Sequence, residues 1–134
     1  MKSVELEVES RGRHVLDMTD RVAAFAADAG GDGLVHVFVP HATAGLVVME
    51  TGAGSERDLE EALDRLLPRD DRYVHRHGSR GHGADHLLPL LAGPSLSVPV
   101  QGGRLALGTW QRVCLLDLND DNPRRRVRLS FLAG

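Results

Sequence analysis

Four of the chain's seven histidines fall in one short stretch, "VHRHGSRGHGADH", as His75, His77, His82 and His86. Imidazole nitrogens are favoured ligands of zinc and related ions. His82 and His86 are four residues apart, so a helix would set both rings on one face, where they can chelate one ion. Gly81 and Gly83 flank His82 and weaken helix at that end. No HExxH or CxxC pattern accompanies the segment, so a solvated histidine-rich loop stays open beside the metal site. An affinity tag is excluded, because the stretch is internal and irregular.

Other residue types suited to chemistry are scattered. His41 follows Pro40 at the end of an apolar run, where rigid strands hand side chains to function. Its alternative is a strand-end residue bonded locally. Glu50 ends "LVVME" and could act as general base, as metal ligand or as the partner that orients a ligating histidine. Equally it could turn out to solvent. Asp58 reads as a carboxylate favoured by a helix start. "PRRRVRL" sets Arg124, Arg125, Arg126 and Arg128 together, and guanidinium forks suit phosphate. On a strand, Arg126 and Arg128 share one face opposite Val127 and Leu129, the pattern of a solvated face. Without interleaved aromatic residues this is not a nucleic-acid site. Trp110, the only tryptophan, is expected in the core, with Gln111 and Thr109 on the opposite side of a strand.

These residues need a scaffold. A chain of 134 residues is long enough for one domain, assigned here to residues 1–134. Its 42% hydrophobic and 26% charged residues are those of a globular protein, and a net charge of -3 gives no general attraction to nucleic acid or membrane. The single cysteine, Cys114, forms no internal disulfide and lies in an apolar run. "MKSVELEVES" lacks the apolar stretch of a signal peptide, and no run approaches the ~18 apolar residues of a membrane span, so the expected location is the cytoplasm.

"SVELEVES" alternates as a half-buried strand, and "HVLDM" pairs after the Gly12 turn. Thr19 is the expected cap of a helix over "DRVAAFAADA", which "GGDG" ends. "LVHVFVP" reads as a central strand, with His36 a core or interface residue, and "GLVVME" as its successor. "SERDLEEALDRLLP" reads as a second helix, with a capping box from Ser55 to Asp58 and a buried face of Leu59, Leu63, Leu66 and Leu67. "ADHLLPLLAG" supplies a short third helix. "SLSVPV", "RLALGTWQRVCLLDLN" and "RRVRLSFLAG" read as strands. The fold class is α+β: a compact β-sandwich-like, mixed or antiparallel sheet with about three helices.

Several blocks match one family in order and spacing. "HATAGLVVME" resembles the His-x-Thr-x-Gly-(apolar)-Glu segment of the YjbQ family, described as secondary thiamine-phosphate synthases. "YVH" at Tyr73 to His75, "ADHLLPLLAGPSLSVPV" and "GRLALGTWQRVCLLDLNDDNPRRRV" resemble its later blocks, from about Pro40 to Val127. The resemblance implies a homotrimer. It implies that His41, His75 and His86 converge on a divalent metal, with zinc favoured and magnesium an option beside a pyrophosphate substrate. Glu50, Asp58, Thr43, Trp110 and Gln111 match the family's motif positions, so Glu50, Asp58 and Gln111 are expected in catalysis and Thr43 and Trp110 at the substrate, with Arg124 expected there too as a guanidinium suited to phosphate. The implied reaction joins a pyrimidine pyrophosphate to a thiazole phosphate, releasing pyrophosphate and giving thiamine phosphate. The chain departs from the family at His82, where Asn is common, at Met49, also often Asn, and at Asp117, often Glu. The expected function is thus a metal-dependent enzyme of small phosphorylated substrates. A metal- or phosphate-ligand-binding protein and a metal-assisted phosphohydrolase are the alternatives.

Overall fold

A computed structural model describes all residues, 1–134. Eight strands and four helical segments alternate: β1 (Lys2–Glu9), β2 (Val15–Asp17), α1 (Thr19–Ala29), β3 (Gly33–Phe38), β4 (Gly45–Met49), α2 (Ser55–Leu66), α3 (His82–Asp85), α4 (Leu88–Ala92), β5 (Ser95–Gln101), β6 (Arg104–Leu105), β7 (Arg112–Leu116) and β8 (Arg124–Ala133). Five strands form one sheet in the order β1-β8-β3-β5-β6, and three form a second in the order β2-β7-β4. Every pairing is antiparallel. The chain therefore has the expected α+β fold, and its two sheets enclose a common core.

That core follows from strand alternation. Val35 and Val37 of β3, Val98 and Val100 of β5, and Val127, Leu129 and Phe131 of β8 face inward. They meet Leu46 of β4, Val113 and Leu115 of β7, and Val22, Phe25 and Ala26 of α1. The continuous apolar run of β7 is buried on both sides: Leu116 packs instead with Leu63 and Leu88 under α2 and α4. Cys114 is fully buried in that strand, and desolvation pushes its thiol up to about 12, so it stays a protonated apolar residue. No helix is long and apolar enough to cross a membrane.

Local readings are corrected at six points. Strand β2 pairs with β7 in the second sheet and not back onto β1, which pairs with β8. Helix α1 begins at Thr19, and the carboxylate that accepts the Thr19 N–H (2.9 Å) belongs to Asp17. The Thr19 hydroxyl turns inward and accepts the Val113 N–H at 2.8 Å. Helix α2 starts after a left-handed Gly54 without a side-chain cap, and Glu56, not Asp58, reaches back to accept the Gly52 N–H at 2.6 Å. Leu66 is exposed, because only Leu59, Leu63 and Leu67 point at the smaller core. The third expected helix is two short turns, α3 and α4, parted at His86 and Leu87. Finally, the backbone leaves the sheet between β6 and β7. Trp110 therefore stands 72% exposed instead of in the core, and Gln111 bends back to accept the Gly108 N–H at 2.8 Å.

Candidate metal centre

Left-handed Gly81 lets the chain turn into α3, and one helical turn then brings His82 and His86 to one face. The His86 N–H donates to the His82 carbonyl at 3.2 Å. The bent segment carrying Tyr73 and His75 lies against this turn. Contact is that close only because position 83 is glycine: a Cβ there would lie 2.5 Å from the His75 carbonyl oxygen and 2.8 Å from Tyr73 Cβ. The Tyr73 hydroxyl, donating to the Pro68 carbonyl at 2.7 Å, fixes the segment from the other end.

The result is a cluster of imidazoles. One ring nitrogen from each of His75, His82 and His86 lies within 4.8 Å of the others. His82 Nε2 and His86 Nε2 are 3.0 Å apart, and His75 stacks on His82 with ring centroids 5.0 Å apart. His77, for which the sequence offers no role, tilts against His75 at 4.1 Å and lies 4.8 Å from His82. His75 and His86 are both held below the ordinary imidazole range, first by desolvation and then by repulsion from the neighbouring rings. Near neutral pH these rings therefore keep the lone pairs that a cation needs. Three imidazole donors fit zinc, which takes nitrogen ligands and in catalytic sites leaves a coordination position open. They suit magnesium poorly, since it prefers oxygen.

Behind the cluster stands a polar frame that sequence reasoning missed. The loop from β7 to β8 carries Asp117, Asn119 and Asp121 at alternate positions. Asp121 Oδ2 lies 2.7 Å from His82 Nδ1, and hydrogen bonds from the Ser79 N–H and His82 hold its carboxyl down at about 2. Asn119 Nδ2 donates to buried Asp85 at 2.9 Å, and Arg69 pairs with the same Asp85. Arg69 also donates to the Leu118 carbonyl at 3.1 Å, which ties the loop to α3. Asp117 receives both arms of Arg125, at 2.7 and 2.9 Å, while Arg125 donates to Thr43 at 2.8 Å. The sequence signals for this frame were the alternation of acidic and amide side chains in "DLNDD" and the place of Arg125 on the Val127 face of its strand.

The other expected site residues are not in this group of ring nitrogens. His41 was expected beside His75 and His86; the third ring nitrogen within 4.8 Å of theirs in the chain is that of His82. His41 Nε2 instead accepts the Arg126 N–H at 2.9 Å, and the charged groups acting on His41 are Arg125, Arg126, Asp117 and Glu5. Thr43 is buried in the Arg125 frame. Glu50 follows β4 exposed, and Asp58 is exposed on α2. Arg124 is exposed opposite Glu9 at the start of β8. Gln111 lines a separate groove of about 440 Å³ with Arg104 and Arg112, under α1, and Trp110 is its exposed chain neighbour.

The match to known proteins spans the whole of this architecture. The family model described as UPF0047 protein YjbQ-like matches residues 4–134. The chain belongs to that family. A UPF0047 protein of Mycobacterium bovis, Mb2586c, is 62% identical over 129 residues, covering 96% of this chain and 99% of its own. YjbQ of Escherichia coli O157:H7 is 30% identical over 136 residues, covering 99% and 96%. Among solved structures, the hypothetical protein APE1520 of Aeropyrum pernix K1 superposes with a TM-score of 0.90 at 32% identity, over 100% of both chains. The two-sheet fold is thus the family's fold.

Proposed function

We propose that the chain is a metal-dependent enzyme of small phosphorylated molecules, in which His75, His82 and His86 hold a divalent cation, zinc in preference to magnesium. The observation that carries this reading is the convergence of the three imidazole nitrogens within 4.8 Å. Such a cation supplies Lewis-acid stabilisation of charge on a phosphoryl or pyrophosphate oxygen. Around it, Arg76 sits exposed on the rim between His75 and His77 and offers a guanidinium to the same anion. His77, against His75, is placed to move a proton. Arg76 and His77 replace Arg124 and Glu50 in these roles, because they stand at the cluster. A symmetric homotrimer belongs to the same reading, on the family likeness.

Two measurements test the proposal. Calorimetric titration of the metal-stripped protein should show one zinc per chain, and no binding near neutral pH sinks the reading. Product analysis with a pyrimidine pyrophosphate and a thiazole phosphate then names the reaction. Thiamine phosphate supports a transferase, free phosphate a phosphohydrolase, and unchanged ligand a binding protein. Light scattering should give three times the chain mass.

A further inference from the structure

His82 presents one ring nitrogen to the loop and the other to the cluster. Its Nδ1 lies 2.7 Å from Asp121 Oδ2, and its Nε2 lies 3.0 Å from His86 Nε2. An ionised carboxylate only accepts, so a contact of 2.7 Å requires the proton on Nδ1. Asn119 Nδ2 is also 3.3 Å from this nitrogen, but it does not compete. The Asn119 amide is oriented by its Oδ1, which accepts the Asp121 N–H at 3.0 Å, and its Nδ2 donates to Asp85 at 2.9 Å. In the neutral ring a proton on Nδ1 leaves the lone pair on Nε2, where it can accept from His86 Nε2 at 3.0 Å.

Asp121 is itself held in place. It accepts the Ser79 N–H at 3.1 Å, and its own N–H is bound to Asn119. The space for the pair depends on Gly78, at φ 82°: a Cβ there would lie 2.7 Å from both Asp121 Oδ2 and His82 Nδ1. Backbone, loop and helix therefore converge on one side-chain contact.

We infer that Asp121 is a positioning residue of the candidate metal centre, fixing His82 in the Nδ1–H tautomer so that Nε2 is the ligating atom. Hydrogen-bond partners of this kind orient ligating histidines and raise their donor strength. The consequence for metal rests on the function proposed above; the tautomer does not.

The test uses the full chain as wild type, D121N and D121E. Nitrogen-15 NMR of the metal-free protein, at about pH 8 and so above the ~6.5 of free imidazole, reads the His82 tautomer. Zinc titration reads affinity. Wild type should show Nδ1–H alone. D121N should show a mixed tautomer and zinc binding about 10–100-fold weaker, with D121E recovering much of the loss. A merely structural role for Asp121 would leave the tautomer signature unmoved. An Nε2–H tautomer in wild type overturns the inference, and so does D121N with wild-type tautomer and wild-type affinity. Wild type that binds no zinc overturns the proposed function, while the tautomer comparison still decides the role of Asp121.

Discussion

Arg125 and the histidine cluster are both crowded polar sites, and they resolve the crowding in opposite ways. Arg125 is 1% exposed, yet its guanidinium is shared between the Asp117 carboxylate and Thr43. Asp117 in turn accepts from the Ser10 hydroxyl and from the Asn119 N–H. Opposite charges meet, and the lone pairs are occupied. In the cluster, by contrast, like groups face like, and Asp121 is the only carboxylate hydrogen-bonded to any of the rings. A polar group whose partners are all present is scaffold. One that brings several imidazole nitrogens together, with a single carboxylate among them, is a candidate receptor for a cation. The loop from Asp117 to Asp121 serves both, bracing the first and orienting the second.

The largest effect should come from breaking the scaffold. Asp117→Ala strands a buried guanidinium and should cost about 3–5 kcal/mol in chemical denaturation. A loss below about 1 kcal/mol, the range of exposed pairs, would mean that Arg125 is not desolvated as described. Gly83→Ala strikes between the two regions. Its Cβ would overlap the His75 carbonyl, so the segment must shift, at about 1–3 kcal/mol, the range for overpacking. Zinc affinity should fall with it. Wild-type affinity in this variant would show that the packing of α3 against His75 does not set the cluster.

Acid should act on the fold through its depressed histidines. His75, His86 and His41 are all depressed in the folded protein. As pH falls through the unfolded value of ~6.5, the unfolded chain takes up protons first. Metal-free stability should therefore decline below that point and level off once the folded rings protonate. Saturating zinc should add stability at about pH 7.5 and much less at about pH 5.5, because protons compete for the same lone pairs. Urea midpoints against pH, with zinc and with chelator, read both curves. Coincident curves would remove the metal from the account. Trp110→Ala should do least, within about 0.5 kcal/mol, as expected of an exposed side chain. A larger loss in denaturation would return the indole to a buried environment.

The parts legible in the sequence were those with a period. Alternation in "RRVRLSF" set Arg126 and Arg128 outward and Val127 and Leu129 inward, as found. The four-residue spacing of His82 and His86 correctly put them on one helical face. Trp110 misled because its segment leaves the sheet between β6 and β7, and no periodicity marks a departure of that kind. The same alternation sets Arg125 on the inward face with Val127 and Leu129, but its partners Asp117 and Thr43 come only from the tertiary fold. The frame behind the cluster was illegible for the same reason: the contact of His82 with Asp121 joins positions far apart in the chain, and nothing local forecasts it. His41 entered through the family likeness, and within the chain its Nε2 is engaged by the Arg126 N–H.

Within a chain, the proposed ligands are His75, His82 and His86. Zinc titration of His82→Ala beside His41→Ala tests that assignment most directly. His41→Ala should keep wild-type affinity and stoichiometry, and His82→Ala should lose more than the ~10–100-fold expected for removing a ligand's hydrogen-bond partner. Full binding by His82→Ala, with binding lost in His41→Ala, would contradict it.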